Sequence, residues 1–380
     1  MKKCLFLLLL IPAFLNAQQA SEDSASRGFS TDLFIHNLNR IFNDSVSGWG
    51  YEINYKNFHF SKYGGFARAA KDNSGKAIPF SVSTRMHIAS ASKTLTGVAA
   101  YKLFKEKNIS LDSRIIEYLP PSWAVDTSYQ LTSVKDLLLM RAGLNQPLNA
   151  ESSSFDSLRE TLSHPADASK KGHFFYQNVN YGLLRLIIGR LALPKDAPSN
   201  DLENDSKLTA AYMNYINDNL LKPSGIPPAV CRDLSSQAVF MYPYPFTGQK
   251  GIPTAFNGTG QLDLAPFSGG LGWFLSAADL SAFIKTLFFS NRILNQQDLP
   301  EFKQLGFPVR KVQTKKGALL YSGGDWRYNP DDQKYTCGIQ TSYYVMPNGL
   351  MIILFNNSAF NHRRKLIEAY ESSFQKESSL

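Results

Sequence analysis

Ser90-Ala91-Ser92-Lys93 sets a hydroxyl and an amine three residues apart at the start of an apolar, helix-patterned run. At that spacing both side chains project from one helix face, about a turn apart. A free serine is a poor nucleophile and needs a neighbour to take its proton, while a helix N-terminus favours the negative charge that develops. The pair therefore fits covalent catalysis, with Ser90 as nucleophile and Lys93 as proton handler. The same spacing recurs at Ser373–Lys376 in the polar tail, where it reads as a solvated helix end. There is no Gly-x-Ser-x-Gly elbow, and the six histidines have no zinc-ligand spacing. His87 and His173 read as structural or surface residues.

The wider segment Ser83-Thr84-Arg85-Met86-His87-Ile88-Ala89-Ser90-Ala91-Ser92-Lys93-Thr94-Leu95-Thr96-Gly97 resembles the nucleophile segment of class C β-lactamases and D,D-peptidases. These belong to the serine β-lactamase and penicillin-binding-protein family. Further landmarks follow in that family's order: Leu111-Asp112, Tyr118-Leu119-Pro120, then Val134-Lys135-Asp136-Leu137-Leu138 leading to Ala142-Gly143-Leu144. Met140-Arg141-Ala142-Gly143 departs from the family's more usual His-Thr-Ser-Gly. Downstream of Ser90, Tyr-x-Asn occurs at Tyr176, Tyr212 and Tyr215, but only Tyr176-Gln177-Asn178 leads into a family-like loop and helix, Asn180–Ile188. The other two tyrosines read as packing residues of an amphipathic helix. The resemblance implies that Tyr176 shares a proton network with Lys93, and that Asn178 positions the lysine and the substrate. An unperturbed tyrosine titrates near ~10, so Tyr176 acts as a base near neutrality only where a cation such as Lys93 favours phenolate.

The family's third motif, Lys-Thr-Gly or His-x-Gly on a pocket-lining strand, is matched nearest by Tyr321-Ser322-Gly323. In this register Gly323 lets substrate approach the strand backbone, and the Gly324 amide joins that of Ser90 in an oxyanion hole. Gly338-Ile339-Gln340-Thr341 resembles the segment just after the motif. It implies either an insertion from about Asp325 to Thr336 or a different register, with the motif just before Gly338. Tyr321 standing where the family has Lys or His predicts weak carboxylate recognition unless Arg327 or Lys334 reaches the same spot. Neutral esters or amides are then expected to outperform β-lactams. Asp279, in Ser276-Ala277-Ala278-Asp279-Leu280, reads as a structural cap or ion-pair partner.

The resemblance thus implies a serine hydrolase acting through a Ser90 acyl-enzyme on an ester, amide or peptide, with no metal or cofactor. The alternatives are a true D,D-carboxypeptidase or β-lactamase, and a non-catalytic peptidoglycan- or ligand-binding protein on the same fold. The partner is a small-molecule or peptide substrate. Nucleic acid is not expected, because the formal charge of +9 is spread along the chain rather than gathered into basic runs.

Several elements must hold these groups together. Lys2, Lys3, the apolar run Leu5–Leu15 and Ala17 have the layout of a signal peptide, residues 1–17, with an apolar core shorter than a membrane span needs. Export to the periplasm or the medium follows, with no stable span after its removal. Ser30 or Thr31 caps a helix bearing Phe34, Leu38, Ile41 and Phe42, ending near Asn43-Asp44. Gly48–Ala69 reads as two or three strands broken at Gly64-Gly65, and a helix from Ser90 buries Leu95, Val98, Ala99 and Leu103. Leu111 to about Asp263 is mostly helical. Strands return at Ala318–Tyr321, Gln340–Met346 and Leu350–Phe355, the last two joined by Asn348-Gly349, and a helix follows Ser358. The resulting class is α/β (α+β): an antiparallel sheet flanked by helices with an inserted mainly helical lobe, β-lactamase/transpeptidase-like. Residues 18–94 and 264–380 form the sheet lobe and 95–263 the helical lobe, with the active site between them. Cys231 and Cys337 either bridge or remain buried thiols.

Overall fold

A computed structural model describes residues 28–42, 45–144, 153–232, 238–254, 263–329 and 334–374. The signal-peptide pattern and Lys376 lie outside them. Among the described residues, nine helices are α1 Thr31–Asn39, α2 Ser92–Glu106, α3 Val134–Leu138, α4 Phe155–Ser163, α5 Asn178–Ala192, α6 Asp205–Ile216, α7 Ala277–Phe289, α8 Asp298–Gln304 and α9 Arg363–Glu371. The main sheet has β1 Gly48–Tyr55, β2 Phe58–Arg68, β3 Ile78–Pro79, β4 Arg310–Thr314, β5 Gly317–Tyr328, β6 Cys337–Val345 and β7 Met351–Asn356. Its spatial order is β3-β2-β1-β7-β6-β5-β4, and the paired neighbours run antiparallel.

Chain ends therefore meet in mid-sheet, where β1 pairs with β7 from Trp49↔Asn356 to Asn54↔Met351. Every residue of β7 is buried, as its unbroken apolar run demands of a strand covered on both faces. One face packs on α1 and α9, joining Phe34, Leu38, Tyr51, Ile352, Leu366 and Tyr370. The other meets the larger core, which contains Leu95 and Val98 of α2, Ile187 of α5 and Phe283 of α7. Ser30 caps α1 by accepting from the Leu33 amide. The helix stops at Asn39, earlier than its apolar spacing predicts, but Ile41 and Phe42 are buried in the turn beyond; Asn43-Asp44 lie outside the described residues.

The largest departure from expectation is β5, which continues to Tyr328 instead of ending at Tyr321. Gly323, Gly324 and Asp325 are poor strand formers and conceal it in the sequence, yet pairing with β6 from Val345↔Leu320 to Cys337↔Tyr328 overrides their propensity. Asp325–Tyr328 thus lengthen a hairpin, and Gly338 sits opposite Arg327. Cys231 and Cys337 are buried free thiols, so of the two readings left open the structure has the unbridged one. No helix of the described residues is long and apolar enough to cross a membrane.

Candidate active site

Ser90 lies in a single 3-10 turn, Ala89–Ala91, immediately before α2. Ala89 has φ +48°, a left-handed conformation costly for a residue with a Cβ, and this turn sets the direction of the next residue. One helical turn on, Lys93 is buried, and its Nζ donates to Ser90 Oγ at 3.1 Å, Asn178 Oδ1 at 2.8 Å and the Gly270 carbonyl at 2.7 Å. Those three bonds use all three protons of an ammonium. Tyr176 arrives from the segment ahead of α5, and its hydroxyl lies 2.7 Å from Ser90 Oγ. Asn178 is the first residue of α5. Ser90, Lys93, Tyr176 and Asn178 are therefore brought together from sequence positions up to 88 apart.

Burial disfavours the charged form of Lys93 and drives its pKa below the usual lysine range. A phenolate at Tyr176 opposes that fall, and the positive charge of Arg310 adds to it. At Tyr176 burial alone would raise the phenol, but the Lys93 charge and hydrogen bonding, with Arg310 further off, outweigh it and the net direction is downward. Nζ sits 5.0 Å from the Tyr176 ring centroid and spends its protons on other acceptors, so charge is its main route of influence. Both shifts run in the direction that eases loss of one proton from the Lys93–Tyr176 pair.

Strand β5 passes against this turn, one residue out of step with the sequence match. A Cβ on Gly324 would lie 2.2 Å from the Ser90 amide nitrogen, so only glycine allows this approach. Side chains alternate along the strand: Ser322 meets Thr94 of α2 at 3.3 Å, and Trp326 sits edge-on to His87 at 5.3 Å. Tyr321 and Gly323 belong to the other face. Tyr321 packs at a tilt against Tyr344, ring centroids 4.9 Å apart, beneath Arg363 and with the α1–α9 core, and is not brought to Ser90. The inner position two residues before Gly324 is thus the neutral Ser322.

Backbone parity moves the expected amide as well. Met346 donates to Leu350 and Gly338 to Tyr242, so even-numbered residues of β6 turn away from β5 and odd-numbered ones toward it. Thr341 then exchanges hydrogen bonds with its partner Gly324, and the Gly324 amide is taken up in the ladder. The Asp325 amide points to the opposite edge, which β4 leaves open because its pairing ends at Arg310↔Tyr321.

The sequence profile of the Beta-lactamase family matches residues 56–370. The chain belongs to the Beta-lactamase family. Protein flp of Staphylococcus aureus is 27% identical over 156 residues, which are 39% of this chain and 28% of that relative; the match thus spans under a third of the relative's length. Among solved structures, FmtA from Staphylococcus aureus superposes with TM-score 0.64 at 16% identity, over 92% of this chain and 90% of the other. A Beta-lactamase/D-alanine Carboxypeptidase from Yersinia pestis gives TM-score 0.65 at 13% identity, over 90% and 98%. At these identities the likeness is one of fold.

On this Beta-lactamase scaffold the remaining candidates take structural places. Asp279 forms a capping box with Ser276 and pairs with Arg85 at 3.0 Å. Tyr212 is buried and bonded to Thr96 and the Ser268 carbonyl, while Tyr215 donates to Glu106. His87 is fully buried; burial, with the Lys93 charge, pushes it down to about 3, and its Nε2 accepts from the Gly272 amide. Arg327 pairs with Asp325 at 3.4 Å. Two participants were missed in the sequence: the Gly270 carbonyl, and Arg310, the cation whose charge reaches both Lys93 and Tyr176. Neither lies in a motif, although a glycine pair before an apolar segment was visible at Gly269-Gly270.

Proposed function

We propose that this chain is a serine hydrolase that forms an acyl-enzyme through Ser90 on an ester, amide or peptide. The observation that carries the reading is the double contact of Ser90 Oγ, 2.7 Å from the Tyr176 hydroxyl and 3.1 Å from Lys93 Nζ. With the Lys93–Tyr176 pair holding one proton fewer than its maximum, Ser90 passes its proton to the pair as Oγ attacks the carbonyl carbon. The Ser90 and Asp325 amides receive the oxyanion. The pair then protonates the leaving alcohol or amine, and a water deprotonated by the same pair attacks the ester carbonyl of acyl-Ser90, restoring the free hydroxyl. Asn178 holds Lys93 in line throughout. Export rests on the 1–17 pattern.

Intact-mass analysis after exposure to a fluorophosphonate, a penicillin and an acyl-D-Ala-D-Ala peptide tests the nucleophile. An adduct of fixed mass is expected with the fluorophosphonate and absent in Ser90→Ala, whose turnover falls by about 10⁴ or more. Equal labelling of the variant would remove Ser90 from the reaction. No adduct and no turnover in the native chain would leave the ligand-binding alternative.

A further inference from the structure

An aromatic row runs from Tyr176 through the buried ring of Phe307 to the exposed ring of Phe174. Tyr176 meets Phe307 at 6.4 Å between ring centroids, and Phe307 meets Phe174 at 5.5 Å. Pro308, the residue after Phe307, seats its ring against Gly97 of α2, where a Cβ would lie 2.7 Å from the ring. Phe174 is 52% exposed, a large apolar ring open to water two residues from Tyr176. Across Phe307 lies Arg310, whose guanidinium carbon is 5.4 Å from the ring centroid. Arg310 shares the sheet face of its partner Tyr321, yet it stands at the first residue of edge strand β4 and its side chain turns to the aromatic ring. It is exposed and has no carboxylate partner among the described residues.

We propose that Phe174, Phe307 and Arg310 form the substrate-selecting lip of the Ser90 site, taking substrates that carry an apolar group close to a carboxylate. The inference rests on the Ser90 reading and adds the substrate class. An apolar group covering Phe174 removes exposed ring surface from water. A guanidinium seated on an aromatic face is weakly hydrated and pre-positioned, and its planar fork matches a carboxylate bidentately. Lys93 cannot serve this purpose, because its protons are engaged within the cluster. Ser322, on the inner face of β5, brings no charge.

The test is equilibrium binding to Ser90→Ala of an aromatic depsipeptide acid, N-benzoylglycyl phenyllactate, and of its neutral carboxamide. The acid is expected to bind at least about tenfold more tightly, the scale of a hydrogen bond to a charged group. That preference should vanish in Ser90→Ala/Arg310→Ala, return in part in Ser90→Ala/Arg310→Lys, and shrink with ionic strength. Phe174→Ala should weaken acid and carboxamide alike. An absent preference, or one that survives the loss of Arg310, overturns the assignment of the anion site; unchanged affinity in Phe174→Ala overturns the apolar half. Fluorophosphonate labelling of the native chain reports on Ser90 separately, since that probe carries no carboxylate. Labelling without acid preference sinks the lip alone, and acid preference without labelling sinks the hydrolase reading alone.

Discussion

At the scale of single residues, the site is a problem in placing protons. Lys93 has three acceptors within 3.1 Å, and the loss of one proton turns it from a donor to Ser90 into an acceptor. Both Lys93 and Tyr176 are shifted downward and titrate as a unit, and the proposed mechanism uses the pair after one deprotonation. The sign follows directly: activity is low on the acid side, rises with pH, and reaches its plateau below the ordinary tyrosine and lysine range of roughly 10. A kcat/KM profile with a fluorogenic ester measures this limb. Arg310→Ala should move it to higher pH, because removing a positive charge favours the protonated pair. Lys93→Ala and Tyr176→Phe should each cause a large loss, with the double variant scarcely worse than either. Additive losses would make one of the two residues structural. Ser90, Lys93, Tyr176 and Asn178 were legible because each sits in a short contiguous motif. Arg310 was not, since it enters the site through a fold contact with Phe307 that no spacing encodes.

At the scale of elements, legibility failed where local preference and pairing conflict. The strand around Tyr321 was visible, but its continuation through Gly323-Gly324-Asp325 was not, and the face of each residue depends on that continuation. A match displaced by one residue placed Tyr321 inward, whereas the inward residues are Ser322 and Gly324. The earlier expectation of poor carboxylate recognition therefore loses its premise at Tyr321, and the cation question passes to Arg310. Gly324→Ala is expected to push β5 and the Ser90 turn apart, cutting fluorophosphonate labelling by about 10² or more, the scale of an approximately 1 Å misplacement. Near-native labelling would show that this approach is not needed. The helix pair α5–α6 offers a stability test. Arg185 is fully buried and bonded to Asp205 at 2.6 Å. Asp205→Ala should cost about 3–5 kcal/mol in denaturant unfolding, because it leaves a buried charge alone. Arg185→Met should cost less, and the reverse order would contradict this account.

At the scale of the whole molecule, the sheet is closed by segments from opposite ends of the chain; the helices between them carry Lys93 and Asn178 to its face, and the segment leading into α5 carries Tyr176. That arrangement was readable from strands at both ends and helices between, because hydrophobic period survives even where boundaries blur. The state of the cysteines was not readable, since sequence separation says nothing about distance in a folded chain. Cys231 and Cys337 are both buried and unbridged. Burial pushes Cys337 up to about 12 and Cys231 well above the ordinary thiol range. Only the thiolate reacts, so at pH 8 both side chains stay in the unreactive thiol form even before access is considered. The native protein should therefore leave both thiols unmodified by an aromatic disulfide reagent on the timescale that modifies a surface cysteine. Both should react at once in guanidinium chloride. Peptide mapping by mass assigns the labels to Cys231 and Cys337 without interference from Cys4. Rapid labelling of either under native conditions would mean that its pocket opens readily. A disulfide-linked Cys231–Cys337 peptide from protein isolated without reductant would mean that the two segments approach more closely than the free-thiol fold allows.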